Sequence, residues 1–261
     1  MKYTVLFLIL TASATVCSQL HGQTLALFNV SQTVSSQIAY TAGTTTTFAN
    51  DAWTGSYDLG VTGITNGSSS LPNPGLGSSG SGALFADHTF NALSWDLNGS
   101  AQGIINAGLG NPGSSFPTIS QTTIVSANLS FFIDTPFTIN LQSTLVSQFS
   151  GNVAYDPFFG RAQTKLFAQV IDGQLVNQYV ADWDTFFGST GGSYTGSFNS
   201  AVFRLEFGAD AVLDANDPGA ALTQFSSYDL QMTVSPIPEP GSALLLAAGA
   251  FIPLLLRRRQ C

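Results

Sequence analysis

Phe203-Arg204-Leu205-Glu206-Phe207 and Tyr228-Asp229-Leu230-Gln231-Met232-Thr233-Val234 alternate apolar and polar residues without a slip. Successive side chains of a strand point to opposite faces, so this period of two predicts strands with one face buried and the other in water. Phe137, Ile139 and Leu141 repeat the pattern directly after Asp134-Thr135-Pro136, a turn signal. Asp172-Gly173 lies between 165–171 and 174–181 and predicts a two-residue hairpin turn, whose central positions take positive φ. Further strands are expected over 24–30, 57–64, 83–97 with a break, and 124–133.

Composition extends this reading to the whole body. The 261 residues include 26 Gly and 20 Phe but only 8% charged residues, so the Glu, Lys and Arg that fill helix surfaces are scarce. The expectation is an all-β protein with a single β-sandwich or jelly-roll-like domain, flanked by an N-terminal signal-peptide helix and a C-terminal hydrophobic helix. Two stretches break the pattern. Residues 66–82, almost entirely Gly, Ser, Pro and Asn, are expected to be a mobile loop, because they bury too little to offset their ordering entropy. Residues 99–117 are expected to hold a short helix or lid around the apolar segment 104–109.

The two ends read as processing segments. Lys2, the apolar run 5–10 and the small residues of 11–18 have the layout of a secretory signal peptide, with cleavage expected after Gly22. At the other end, Pro238-Glu239-Pro240-Gly241-Ser242 precedes an apolar run and then Arg257, Arg258 and Arg259. An uncharged helix over 242–256 would be about 22 Å long, short of the ~30 Å hydrocarbon core unless the bilayer thins or its flanks snorkel. The three arginines would hold its end on the cytoplasmic side and leave the body outside. The division is therefore 1–22 signal peptide, 23–235 extracellular domain and 236–261 sorting and anchor segment.

This tail resembles the PEP-CTERM sorting signal of exopolysaccharide-producing Gram-negative bacteria. The resemblance covers about two dozen residues, with Ile237 where the family's commonest form has Val. It implies that Pro238, Glu239 and Pro240 are the recognition site of an exosortase, a membrane protease that removes the tail. It implies nothing about the fold upstream.

Processing would remove Cys17 and Cys261, leaving a body without cysteine for a disulfide or a thiolate metal site. It would also remove four of the seven basic residues. Residues 23–236 keep Arg161, Lys165 and Arg204 against fourteen acids, a net charge of −11, which argues against nucleic acid as a partner. Thirteen of those acids are Asp, a residue of turns more than of helix faces. The sequons at Asn29, Asn66, Asn98 and Asn128 arise readily in so Ser- and Asn-rich a chain.

Catalytic signals are thin. His88, the one imidazole of the body, lies between Asp87 and Thr89 and reads as a polar-face residue of a strand more than as a base. Asp182-Trp183-Asp184 is the best source of a glycosidase carboxyl pair, with an aromatic that would stack on a sugar ring; the plainer reading is a solvated strand end with Trp183 in the core. The acidic loop expected at 208–219 offers Asp210, Asp214, Asn216 and Asp217 as hard oxygen ligands for Ca²⁺, although Asn216-Asp217-Pro218-Gly219 is equally an ordinary β-turn. No enzymatic cofactor is implied. The expected function is that of a non-catalytic matrix protein at the cell surface or secreted, associated with exopolysaccharide. A hydrolytic enzyme using Asp182, Asp184 or His88, and a self-associating coat or adhesion protein, are the alternatives.

Overall fold

The computed structural model describes residues 25–42, 45–55, 62–73, 78–90, 93–108, 118–152 and 160–237. The signal segment, the Pro-Glu-Pro motif, the apolar run and the arginine cluster lie outside the described residues. Twelve strands are described: β1 (Leu25–Ala42), β2 (Thr45–Gly55), β3 (Thr62–Asn73), β4 (Ser78–Phe90), β5 (Ser94–Asn106), β6 (Thr118–Ile133), β7 (Phe137–Gly151), β8 (Gly160–Ile171), β9 (Gln174–Asp184), β10 (Gly191–Phe198), β11 (Ala201–Ala215) and β12 (Ala221–Pro236). The protein is all-β. Its strands form two six-stranded sheets, ordered β2-β1-β6-β11-β8-β9 and β10-β7-β12-β5-β4-β3, and every pairing is antiparallel.

Alternation drives this arrangement. Phe203, Leu205 and Phe207 of β11 are buried, as are Tyr228, Leu230, Met232 and Val234 of β12 and Phe137, Ile139 and Leu141 of β7. Their polar neighbours point outward, as the period of two predicts. The inner faces of the two sheets meet in one core, in which Trp95 of β5 stands edge-on to Phe131 of β6 at 4.9 Å and Phe137 meets Phe203 at 6.4 Å. Each such ring stabilises the fold by about 1.5–3 kcal/mol through burial. The hairpin at Asp172-Gly173 is present: Ile171 pairs with Gln174, and both turn residues have positive φ, 50° and 78°. Asp172 Oδ1 also accepts the backbone N–H groups of Asn199 and Ser200 at 2.8 and 3.0 Å, tying that turn to the link between β10 and β11.

The Gly-rich segments depart from expectation. Residues 66–73 belong to β3 and 78–82 to β4, so the stretch expected as a mobile loop is mostly strand, with 74–77 outside the described residues. Glycine there complements packing. A Cβ on Gly82 would collide with the hydroxyls of Ser36 and Thr123 and lie 2.8 Å from Gln121 Nε2, all from the facing sheet. Gly103, paired with Gly82, leaves room in the same way for the Gln121 amide oxygen. Residues 99–106 likewise extend β5 in place of the expected helix or lid, and 109–117 lie outside the described residues. At Gly99 the vacant side-chain position is filled by the Tyr228 ring, whose Oη lies 2.5 Å from where a Cβ would be.

These glycines mark a polar layer across the core. Ser36, Thr123, Gln121, Gln224 and Ser226 are all buried there, linked by Ser36 Oγ to Thr123 Oγ1 at 3.1 Å, Gln121 to Thr123, and Gln224 Nε2 donating to Ser226 Oγ at 3.2 Å. Beyond the layer lies a second, smaller apolar cluster of Ile38, Ile105, Ile119, Leu213 and Leu222 with small neighbours. Of the remaining expectations, 124–133 lies in β6, 24–30 lies in β1 from Leu25 onward, and 83–97 divides between β4 and β5. The expected strand 57–64 is described only from Thr62.

Candidate functional site: the outer face of the first sheet

Register places the chemistry of the body on one surface. On the outward side of β9, β8, β11 and β6, one row runs Asp184, Gln163, Gly208, Ser126 and the next runs Asp182, Lys165, Glu206, Asn128. One row to one side pairs Arg161 with Asp210, and one row to the other aligns Tyr179, Phe167 and Arg204. All three basic residues that the sequence places in the body therefore stand on the neighbouring strands β8 and β11.

Each of them is already paired. The Arg161 Nε donates to Asp184 Oδ1 and Oδ2 at 3.0 and 2.9 Å, and its Nη2 also contacts Oδ2. Lys165 Nζ bridges Asp182 at 3.0 Å and Asp184 at 3.5 Å. Arg204 makes an ion pair with Glu206 at 2.6 Å while its guanidinium lies 5.0 Å from the Phe167 ring centre. Tyr179 stands edge-on to Phe167 at 5.1 Å and leaves 45% of its surface exposed.

Asp182 and Asp184 share this face, as adjacent-but-one strand residues must, yet their situations differ. The Asp182 side chain is 46% exposed and that of Asp184 2%. Asp184 also caps the 3₁₀ turn Thr185–Phe187 by accepting the Phe186 N–H at 3.0 Å. Burial pushes its carboxyl upward, but hydrogen bonds from Arg161 and Phe186 and the charges of Arg161 and Lys165 prevail and hold it below the ordinary carboxylate range. A carboxylate so engaged anchors Arg161 and the 3₁₀ turn. Trp183 points the other way. It pairs with Thr164, packs against the core, and lies against Gly192, where a Cβ would approach its Nε1 to 2.6 Å; the ring faces inward, as the plainer reading has it, and not toward a sugar.

His88 is also placed otherwise than expected. It lies on the inner face of β4, fully buried, with Nε2 2.9 Å from Tyr228 Oη and Phe207 edge-on at 5.4 Å. Desolvation lowers it from 6.5 to about 4, so it is a neutral core residue at neutral pH.

The acidic loop expected over 208–219 is strand as far as Ala215. Asp210 and Asp214, four residues apart on one side of β11, stand roughly 13 Å apart at about 3.4 Å per residue, beyond sharing one ion. Asn216 and Asp217 occupy the link to β12, where the Ala220 N–H donates to the Asp217 carbonyl at 3.3 Å. Among the described residues, no three His, Cys, Asp or Glu side chains are grouped so as to hold a metal. Asp210 stands out for another reason: burial raises it from 3.8 to about 6, opposed by the Arg161 charge and aided by that of Asp184.

At the centre of the face lies a groove of about 270 Å³ lined by Thr33, Ser126, Asn128, Gln163 and Glu206. Gly208 stands in the row between Gln163 and Ser126, and a Cβ there would come within 2.7 Å of the Val125 carbonyl oxygen, so the close approach of β11 to β6 requires glycine. Asn128 Oδ1 is buried beside it without a hydrogen-bond donor among the described residues. A larger polar depression of about 410 Å³ lies on the opposite sheet, lined by Gln142, Thr144, Ser193, Asp229 and Gln231 among others. No protein-family model matches the chain, and no curated protein matches it either.

Proposed function

We propose that this chain is an exported, non-catalytic protein of the extracellular matrix, carried to the cell surface by a PEP-CTERM signal and associated there with exopolysaccharide. Its body is a jelly-roll-like β-sandwich between a signal-peptide helix and a hydrophobic C-terminal helix. That helix holds the precursor in the inner membrane until an exosortase acts at Pro238-Glu239-Pro240. The observation that carries the non-catalytic reading is the state of Asp184, whose carboxylate is consumed by Arg161, Lys165 and the Phe186 N–H. The burial of His88 in the core agrees with it. Association with a hydroxyl-rich polymer suits a protein whose outward strand faces carry so many Ser, Thr, Asn and Gln side chains and whose body carries a net charge unsuited to polyanions.

Affinity electrophoresis tests this reading. Residues 23–236, run through gels holding the producing organism's own exopolysaccharide with and without calcium, are expected to be retarded. Unretarded migration in both gels removes the polysaccharide association. For the sorting step, deletion of the exosortase is expected to leave an unprocessed, membrane-bound precursor, and normal release in that strain would refute the assignment of Pro238-Glu239-Pro240.

A further inference from the structure

We propose that the groove between Gln163, Glu206 and Asn128 takes one uncharged sugar residue of a neutral polysaccharide, with the exposed ring of Tyr179 as the contact for the next. The inference rests on the polysaccharide reading above and gives it a place and a ligand class.

Three observations carry it. The first is the lining: two hydroxyls, two side-chain amides and one carboxylate converge from four neighbouring strands. This is the mixture of donors and acceptors that vicinal hydroxyls satisfy, since each hydroxyl both gives and takes a hydrogen bond. At about 270 Å³ the groove is near the small end of ligand pockets, ~300–1,000 Å³, with room for one ring and not for an oligomer.

The second is charge. Arg161, Lys165 and Arg204 are each bound to carboxylates of the same face. No cation of the described face is free to hold a uronate or sulfate, and the surrounding carboxylates repel one. An uncharged polymer meets neither obstacle. The third is the aromatic row. Tyr179 and Phe167 lie one pleat repeat, about 7 Å, from the row of Glu206 and Asn128. Tyr179 presents an apolar ring with a polar tip, the amphipathic surface that suits the C–H face of a pyranose. Tyr179, on β9, is one pleat repeat along and two strands across from Glu206, roughly 12 Å at about 4.8 Å per strand, so a chain leaving the groove obliquely toward β9 meets its ring.

The test separates the site from the reading on which it rests. The secreted, processed protein is run through gels holding the neutral or the uronate-rich fraction of the producer's exopolysaccharide. The wild type is compared with Asn128→Ala, Gln163→Ala and Tyr179→Ala, and with Gln142→Ala and Gln231→Ala on the opposite sheet. Thermal melts confirm that each variant is folded. Retardation is expected in the neutral fraction, weakened roughly three- to tenfold by each of the first three changes, about what one neutral hydrogen bond contributes, and unaltered by the last two. If only Gln142→Ala and Gln231→Ala weaken it, the site is overturned while the polysaccharide reading stands. Retardation by the uronate-rich fraction alone overturns the ligand class. Absence of retardation in either fraction overturns the inference and the reading together.

Discussion

Two buried ionisable groups give this fold opposing responses to acid, and replacing either one should unmask the other. His88 is lowered from 6.5 to about 4 by burial in the core. Between those values the unfolded chain binds a proton that the folded chain does not, so this group's contribution to stability falls as the pH drops through the window. At about 1.36 kcal/mol per pH unit the loss amounts to ~3 kcal/mol. Asp210 acts in the opposite sense. Burial raises it from 3.8 to about 6, so between those values the folded chain binds the extra proton and acid adds ~3 kcal/mol of stability. The two nearly cancel between pH 4 and 6. Asp172 and Asp184 are both held below the ordinary carboxylate value and titrate beneath that window. In Asp210→Asn the compensation is gone, and stability should fall by ~3 kcal/mol between pH 6.5 and 4. In His88→Gln, which keeps a hydrogen-bonding partner for Tyr228 Oη, stability should rise by a similar ~3 kcal/mol between pH 6 and 4. Urea unfolding at half-unit pH intervals, with the slope m held to one value, reads both curves. An Asp210→Asn profile within ~0.5 kcal/mol of the wild type throughout would refute the reasoning, because it would mean that the buried imidazole and carboxyl do not titrate against each other.

Other perturbations have equally definite outcomes. Asp184→Ala removes the anchor of Arg161 and the cap of the 3₁₀ turn, but Arg161 is 39% exposed and Lys165 keeps Asp182. The loss should therefore be about 2–3 kcal/mol at pH 7, below the 3–5 of a fully buried pair. It should shrink once the pH falls below the ordinary 3.8 and through the lowered folded-state value, which melts at pH 7 and pH 2 will show. Phe203→Ala opens a cavity where three other phenylalanine rings, Phe131, Phe137 and Phe198, converge and should cost ~3–5 kcal/mol in urea denaturation. Gly103→Val drives a branched side chain against the Gln121 amide and should cost ~1–3 kcal/mol or more, with loss of near-ultraviolet circular dichroism if the sheets are forced apart.

Strands whose burial is carried by large side chains were legible in the sequence, because alternation in β7, β11 and β12 is itself the physical cause of their one-sided burial. The β8–β9 hairpin was equally legible, since Asp172-Gly173 favours the backbone that the turn needs. Strands whose inner face is built from absent side chains were not. In β4 and β5, Gly82, Gly99 and Gly103 are buried because Ser36, Tyr228 and Gln121 come across from other strands, and one strand read alone gives no sign of that visitor. β10, with only Tyr194 and Phe198 as large apolar residues among Gly, Ser and Thr, escaped for a related reason. At the site, the parity of Asp182 and Asp184 was readable, but the pairing that neutralises Asp184 depends on register with Arg161 and Lys165. Tyr179 and Phe167 fell inside the predicted hairpin, yet their rings meet only through register shifts between β8 and β9, which no local pattern announces.

Among the described residues, the last hydrogen bond beyond β12 runs from the Ile237 N–H to the Pro136 carbonyl at 2.9 Å. Residues 238–241 alone separate it from Ser242, where the apolar run opens, and four residues reach at most about 14 Å. On the proposed sorting, so short a link would keep the pole that carries Pro136 near the bilayer in the uncut precursor. β1 enters at that same pole, since Leu25 pairs with Ile133. On that sorting, cleavage at Pro238-Glu239-Pro240 would release the body from this short tether.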